Sequence, residues 1–179
     1  MRALPITVTA LAAALLLTAC DGGGGGTSDE KTAGGGAATG NACAIGKVGL
    51  EVGPVNAAPA AGDTGNVSVT VTNTGSECTL NGFPAVALGA GSASADVPKD
   101  AAAQAQKLTL AKDATASFTL TYVRGEAGGA KSFAADSIKF SLPGADTTHS
   151  FDWTYGDVAL KDGTDKPDVS VSAFQQAGD

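Results

Sequence analysis

Beyond residue 47, apolar and polar residues alternate one by one in several short runs. In the clearest of them, Phe118, Leu120 and Tyr122 alternate with Thr119 and Thr121. A period of two residues sends successive side chains to opposite faces, so each run predicts a β-strand with one buried face. The predicted strands lie at residues 48–52, 67–71, 85–88, 108–110, 118–122, 138–142, 151–155 and 169–171.

These runs predict an all-β fold, because no window of the chain carries a convincing helical stripe of apolar residues. About seven to nine strands, many with one polar face, fit an antiparallel two-sheet sandwich of the immunoglobulin-like kind. Aromatic residues make up only 5% of the chain, so we expect a core built mainly from Val, Leu, Ile, Phe and Ala. The larger loops are expected at residues 53–64, 89–106, 124–134 and 156–167.

The amino-terminal segment MRALPITVTALAAALLLTAC follows a different pattern. Arg2 precedes an uncharged, mostly apolar run over residues 4–17, which is too short to span a bilayer and is typical of a secretory signal peptide. The sequence Leu17-Thr18-Ala19-Cys20 resembles the lipobox of bacterial lipoproteins at every position. The resemblance implies removal of residues 1–19 and attachment of a diacylglycerol to the sulfur of Cys20. The alternative is an ordinary signal peptide with a chance cysteine at this position.

Lipid on Cys20 would hold the protein at the outer, extracytoplasmic face of the cell membrane, because two acyl chains anchor far more stably than one. The chain after the lipidated cysteine, residues 20–42, contains nine glycines and no large apolar side chain. Such a segment cannot bury enough surface to fold, so we expect a flexible linker. The folded domain is therefore predicted at residues 43–179.

The cysteine count predicts one disulfide bond. With Cys20 assigned to lipid, Cys43 and Cys78 remain as a pair in an oxidising compartment. A bridge between them would stabilise the fold by about 4 kcal/mol in the chain-entropy model. The alternatives are free thiols or a metal site, but a metal site lacks partners because the chain has one histidine and no Cys-x-x-Cys motif.

The segment Asn73-Thr74-Gly75-Ser76-Glu77-Cys78-Thr79-Leu80-Asn81-Gly82-Phe83-Pro84-Ala85-Val86 resembles the signature of domain-of-unknown-function family 4232. The shared pattern is Asn-Thr-Gly followed by Cys-Thr-Leu-x-Gly-aromatic-Pro, and Cys43 matches a cysteine near the start of that domain. The resemblance covers most of residues 43–173. It departs at Leu110-Ala111-Lys112-Asp113-Ala114, where the usual Leu-x-Pro-Gly-x-Ser/Ala segment has lost its Pro-Gly. It implies a secreted or lipid-anchored β-rich domain of high-GC Gram-positive bacteria and carries no activity.

The charge of the chain argues against nucleic acid as a partner. The net charge is −7 at pH 7, and removal of residues 1–19 would take away Arg2 and make the chain more acidic. An acidic domain is repelled by nucleic-acid phosphates, and it offers no polybasic patch to a membrane surface. We therefore expect contact with the membrane through the lipid on Cys20.

The sequence also lacks the motifs of nucleophilic catalysis. Such catalysis needs a base beside the nucleophile, but the sole histidine is His149 and no Gly-x-Ser-x-Gly motif occurs. A lone histidine next to a predicted strand is typical of a surface or edge residue. The sequence therefore predicts a protein that is not an enzyme and that has no cofactor.

Four aspartates near the carboxyl terminus are the best candidates for metal ligands: Asp157, Asp162, Asp165 and Asp168. Carboxylates in a loop that contains glycine suit Ca²⁺, but the EF-hand spacing is absent and Lys161 and Lys166 lie among the acids. We therefore expect a solvated loop with turn-forming aspartates, and bound Ca²⁺ is the weaker alternative.

Three aromatic residues, Phe151, Trp153 and Tyr155, alternate with polar residues and would point to one face of a strand. An exposed aromatic strip can bind a sugar or a partner protein. In a chain with so few aromatic residues, however, we expect this strip to belong to the core of the sandwich.

The leading functional hypothesis is a lipid-anchored, non-enzymatic β-sandwich that binds an envelope protein, a glycan or another envelope component. The alternative is an enzyme or small-ligand receptor with a site built from the loop acids. A concave pocket with converging polar groups would favour the alternative, whereas a filled core with an exposed surface patch would favour the first.

The lipobox generates the first testable prediction. Replacement Cys20→Ser removes the sulfur that carries the lipid, so we expect the variant to leave the membrane fraction and to lack a diacylglycerol mass. Fractionation and intact-mass analysis of the wild type and the variant would measure both effects. A Cys20→Ser protein that still sediments with membranes and carries the lipid would refute the anchor.

Overall fold

The computed structural model describes residues 41–177. The predicted signal peptide, Cys20 and nearly all of the predicted linker lie outside these residues. The described part contains one 3₁₀ turn, Ile45–Lys47, thirteen β-strands and no α-helix. The strands are β1 (Val48–Asn56), β2 (Thr64–Asn73), β3 (Cys78–Asn81), β4 (Ala85–Ala90), β5 (Ala93–Asp96), β6 (Lys107–Leu110), β7 (Thr115–Val123), β8 (Ser132–Phe133), β9 (Ser137–Ser141), β10 (Thr148–Asp152), β11 (Val158–Ala159), β12 (Val169–Val171) and β13 (Gln175–Gln176).

Two antiparallel sheets make up the sandwich. One sheet has the strand order β1-β2-β7-β12, and β13 also pairs with β7. The other sheet has the order β10-β9-β4-β5. Two smaller ladders, β3 with β6 and β8 with β11, lie beside them. No helix in this part of the chain is long and apolar enough to cross a membrane.

The core lies between the two sheets and is centred on aromatic contacts. The ring of Phe118 on β7 meets the ring of Phe140 on β9 edge-on, with 5.4 Å between centroids. Phe118 also contacts Phe174, at 5.6 Å. Burial alternates along the whole of β2, as its period-two pattern requires. Each fully buried Val, Leu or Phe contributes about 1.5–3 kcal/mol, so this interior is the main source of stability.

The structure confirms the prediction of an all-β, antiparallel two-sheet sandwich with one disulfide. The predicted count of seven to nine strands is too low, because thirteen are present in residues 41–177. The strands without a predicted counterpart are β3, β5, β8, β11 and β13, each of two to four residues. Three of them have only two residues, too few to display an alternation, and pairing with neighbouring strands forms them instead.

The chain enters the sandwich at a disulfide bond. Cys43 and Cys78 are joined with a Cα–Cα distance of 4.9 Å, so the predicted pairing is confirmed. The Cys43 N–H donates to the Thr79 carbonyl oxygen at 3.0 Å, and the Thr79 N–H donates to the Asn41 carbonyl oxygen at 2.7 Å. The first described residues are therefore fixed to β3. We call this end of the molecule, where β1 begins and β2 ends, the disulfide pole.

A buried amide joins two turns at the disulfide pole. Asn73, at the end of β2, is fully buried. Its Nδ2 donates to the carbonyl oxygens of Ser76 at 2.9 Å, Leu110 at 2.9 Å and Ala111 at 3.1 Å. Its Oδ1 accepts a bond of 3.0 Å from the Gly75 N–H. The side chain thus connects the β2–β3 turn to the β6–β7 turn and leaves no polar atom of its own unpaired.

Two asparagines on β2 allow a matched test of this amide. Asn73→Asp keeps the shape but removes the donors that face three carbonyl oxygens, so we expect a loss of about 3 kcal/mol or more in the free energy of unfolding. Asn66→Asp is the control, because Asn66 Oδ1 accepts from Thr121 Oγ1 at 2.9 Å and a carboxylate can still accept. Urea unfolding measures both. Equal destabilisation of the two variants would contradict the role of Asn73.

Candidate binding surface at the loop pole

The opposite end of the sandwich is built from loops. Here β1 ends at Asn56, β2 begins at Thr64 and β7 ends at Val123. We call this end the loop pole; its loops are residues 57–63, 124–131, 153–157 and 160–168. Because β2 runs through ten residues, the loop pole lies about 30 Å from the disulfide pole.

A buried tyrosine holds two of these loops. Tyr122 Oη accepts a hydrogen bond from the Ala58 N–H and donates one to the Tyr155 carbonyl oxygen, both at 3.3 Å. The Tyr122 ring also packs edge-on against Trp153, with 5.0 Å between centroids. A Cβ atom at Gly65 would lie 2.5 Å from this ring, so only glycine fits beside it. Tyr122 therefore fixes loops 57–63 and 153–157 to β7.

Arg124, directly after β7, also holds loop 57–63. Arg124 Nη1 donates to the carbonyl oxygens of Ala58 at 2.8 Å and Pro59 at 3.2 Å. The Arg124 N–H donates to the Asp63 carbonyl oxygen at 2.9 Å, and the Gly62 N–H donates to the Arg124 carbonyl oxygen at 2.8 Å. Both ends of loop 57–63 are thus fixed. The sequence analysis missed Tyr122 and Arg124, although an arginine at the very end of the clearest alternating run is a detectable signal.

Three grooves surround loop 160–168. The Arg124 groove has a volume of about 550 Å³ and carries charges of both signs, from Arg124, Glu126, Lys131 and Asp162. A smaller groove of about 280 Å³ lies between residues 130–131 and 160–165. The β5 groove, of about 500 Å³, separates residues 94–98 from residues 161–167. The predicted acidic loop is therefore a shared wall of several concave surfaces.

The four candidate metal ligands take different positions around this wall. Asp157 Oδ2 accepts from the Gly128 N–H at 2.8 Å, and Asp168 Oδ1 lies 3.8 Å from Lys161 Nζ. Asp162 and Asp165 both line the smaller groove. Within residues 41–177 no three His, Cys, Asp or Glu side chains are placed to hold one metal ion.

Of the three aromatic residues predicted to share one face of a strand, only Phe151 lies on a strand. Strand β10 ends at Asp152, so Trp153 and Tyr155 lie beyond it, contrary to the prediction. Trp153 is buried in the core and its Nε1 donates to the Gly156 carbonyl oxygen at 2.7 Å. Tyr155 is half-buried and packs edge-on against Trp153, with 5.0 Å between centroids. The core interpretation is therefore confirmed for Trp153.

Phe151 and His149 lie on the edge strand β10. Phe151 is half-buried and stacks on Phe140, with 5.7 Å between ring centroids. The His149 ring is also half-buried and lies 4.7 Å from the Phe151 ring centroid. The expectation that His149 is an edge residue is thus confirmed, because β10 is the outermost strand of its sheet.

The carboxylate of Asp136, the residue before β9, accepts two hydrogen bonds. The Gly91 N–H donates to Asp136 Oδ2 at 2.6 Å, and the Ser137 hydroxyl donates to Asp136 Oδ1 at 2.8 Å. The bond from Gly91 has the largest effect and the bond from Ser137 adds to it. Together they lower the pKa of the Asp136 carboxyl below its usual range. The ionised carboxylate therefore holds the β4–β5 turn at pH values above the ordinary aspartate pKa. This support is lost as the pH falls through the lowered pKa.

The signature segment, residues 73–86, contributes several of the bonds that hold the fold. Asn73 is the buried amide and Cys78 is half of the disulfide. Gly82 has a φ of 80°, its N–H donates to the Gln106 carbonyl oxygen at 2.9 Å, and its own carbonyl oxygen accepts from the Phe174 N–H at 2.9 Å. Each of these features fixes the chain near the disulfide pole.

The family model described as Domain of unknown function (DUF4232) matches residues 43–175. The chain belongs to this family. No curated protein matches the chain. The matched range begins at the first disulfide cysteine and ends in β13, so the DUF4232 domain coincides with the sandwich. The disulfide also indicates an oxidising, extracytoplasmic compartment for this DUF4232 protein.

Tyr122 provides a test of how the loop pole is held. Tyr122→Phe removes the Oη atom and leaves the N–H of the fully buried Ala58 without a partner, so we expect a loss of about 1–3 kcal/mol in the free energy of unfolding. We also expect faster proteolysis within residues 57–63. Tyr155→Phe is the control, because the hydrogen bond to Tyr155 is made by its main chain. The role is refuted if the two variants unfold at the same urea concentration.

Proposed function

We propose that this protein is a non-enzymatic binding module, anchored by lipid on Cys20, whose loop pole recognises a component of the cell envelope. The partner is an envelope protein or a glycan rather than nucleic acid. The proposal rests above all on the polarity of the sandwich, because the chain enters at the disulfide pole, which has a small groove of about 200 Å³, and the larger grooves lie around the loop pole.

The position of the chain entry supports an outward-facing loop pole. Asn41 and Cys43 are hydrogen-bonded to Thr79, so any anchor on the preceding chain acts on the disulfide pole. The Arg124 groove lies about 30 Å away, across the length of β2. A tether attached at the disulfide pole leaves the loop pole open to partners.

The chemistry of the loop pole supports binding. Loops 57–63 and 153–157 are fixed by Tyr122 and Arg124, and rigid loops lose little conformational entropy when they bind. The Arg124 groove carries both acidic and basic side chains, which favours a polar partner over an apolar one.

Position-specific photocrosslinking in the native host tests this proposal. A benzophenone amino acid is placed at Ala130, an exposed residue of the Arg124 groove, and separately at Lys112, an exposed residue of the β6–β7 turn at the disulfide pole. After irradiation of intact cells, the protein is recovered and its adducts are identified by mass spectrometry. We expect one recurrent adduct from position 130 and none from position 112. Equal adducts at both positions, or none at position 130, would contradict the proposal.

A further inference from the structure

The outer edge of β5 is an unpaired strand edge that faces a groove. Strand β5 is the last strand of its sheet and pairs only with β4. Within residues 41–177 no other strand pairs with β5, and the β5 groove of about 500 Å³ lies beside it. Residues 161–167 form the opposite wall of this groove.

The hydrogen-bond register shows which backbone groups point into that groove. The Val97 N–H donates to the Val86 carbonyl oxygen at 2.8 Å, which makes this pair of opposite residues a hydrogen-bonded one. Bonded and non-bonded pairs alternate along antiparallel strands, which makes Ser94 and Asp96 non-bonded partners of β4. Their N–H and C=O groups therefore point away from β4. The chain just beyond them turns to the other sheet, where the Pro98 carbonyl oxygen accepts from the Val171 N–H at 3.0 Å.

The groove has an apolar floor and a charged rim. Val97 and Pro167 are buried and line it, and Ala95 is half-buried on the inner face of β5, opposite Leu88. The exposed Asp96, Lys161, Asp165 and Lys166 lie around this floor. An apolar centre with a polar rim is the usual composition of a protein-binding surface.

We propose that the β5 groove binds an extended peptide segment of a partner protein, which adds as a strand to β5. The partner's backbone bonds to the N–H and C=O groups of Ser94 and Asp96, and alternate side chains rest on Val97 and Pro167. The backbone of an extended polypeptide offers donors and acceptors at this spacing, and such strand addition is a general mode of peptide recognition. This inference rests on the proposed function and names the partner as a protein rather than a glycan.

The rim specifies the side chains of the bound segment. Lys161 and Lys166 line one wall of the groove, and Asp96 lies on the β5 side. Asp165 lies on the same wall as the lysines, and Lys161 Nζ already lies 3.8 Å from Asp168 Oδ1. A segment that is apolar toward the floor, acidic toward Lys166 and basic toward Asp96 and Asp165 would therefore complement this rim.

The matched variants Ser94→Pro and Ser94→Ala test the backbone contact. The Ser94 N–H takes no part in the ladder with β4, so proline at this edge position keeps the sheet while removing an outward donor and blocking a new strand. Linear peptides are selected from a phage-displayed random library against the full chain, and their dissociation constants are measured with each protein. We expect Ser94→Pro to weaken binding by at least about tenfold and Ser94→Ala to leave it unchanged.

Amide hydrogen exchange of the wild-type protein provides a measurement that does not depend on the variant's folding. The amides of Ser94 and Asp96 are expected to exchange quickly in the free protein and to become protected when a selected peptide is added, whereas the amide of Val97 is protected throughout.

The inference is overturned if no peptide is selected, if Ser94→Pro binds as tightly as the wild type, or if the amides of Ser94 and Asp96 stay unprotected. It is also overturned if light scattering shows that a second copy of the chain occupies β5. None of these failures affects photocrosslinking at Ala130, which tests the proposed function separately.

Discussion

A single buried amide holds together the two turns on which the disulfide pole depends. The Asn73 side chain donates to carbonyl oxygens of both turns, and its bond to Leu110 is buried, so that oxygen would be left without this partner in the interior if the amide were removed. Its main chain adds two more bonds, because the Asn73 N–H donates to Ala114 and the Asp113 N–H donates to the Asn73 carbonyl oxygen. Asp113 has a φ of 66°, the only positive value among the described non-glycine residues. It occupies the position at which the family resemblance leads one to expect glycine, the residue that adopts a positive φ most readily.

The two poles are stabilised by different means, and this difference separates folding from recognition. The disulfide pole is covalently closed and contains the signature residues, whose bonds are directed inward. The loop pole is held by the hydroxyl of Tyr122 and the guanidinium of Arg124, which leave the outer surfaces of the loops open. The family signature therefore marks the part of the domain that must fold. The surface that we propose for recognition lies in segments outside the signature.

A scarcity of aromatic residues also determines how this domain can recognise a partner. Phe118, Phe140, Phe174, Tyr122 and Trp153 are all needed in the core. Val55, at 37% exposure, is the one large hydrophobic residue classed as exposed in residues 41–177. Because exposed apolar side chains are scarce in these residues, the binding that we propose depends on charges, on grooves with a small apolar floor and on unpaired backbone groups. The outward N–H and C=O groups of β5 and the mixed charges of the Arg124 groove are features of this kind.

The amino-acid sequence alone determined the all-β class, the longer strands and the disulfide pairing. Alternation is a property of neighbouring residues, and the cysteine pairing followed from the number of cysteines. The predicted run at residues 118–122 became the centre of β7, and Cys43 and Cys78 were the only cysteines left to pair. Only the tertiary structure decided the short strands, the end of β10 before Trp153 and the dispersal of Asp157, Asp162, Asp165 and Asp168 around the loop pole. Only the structure placed Ser94 and Asp96 on an open edge beside a groove. These features depend on which segments meet after the sheets pack, and contacts between residues distant in the chain leave no periodic trace in its sequence.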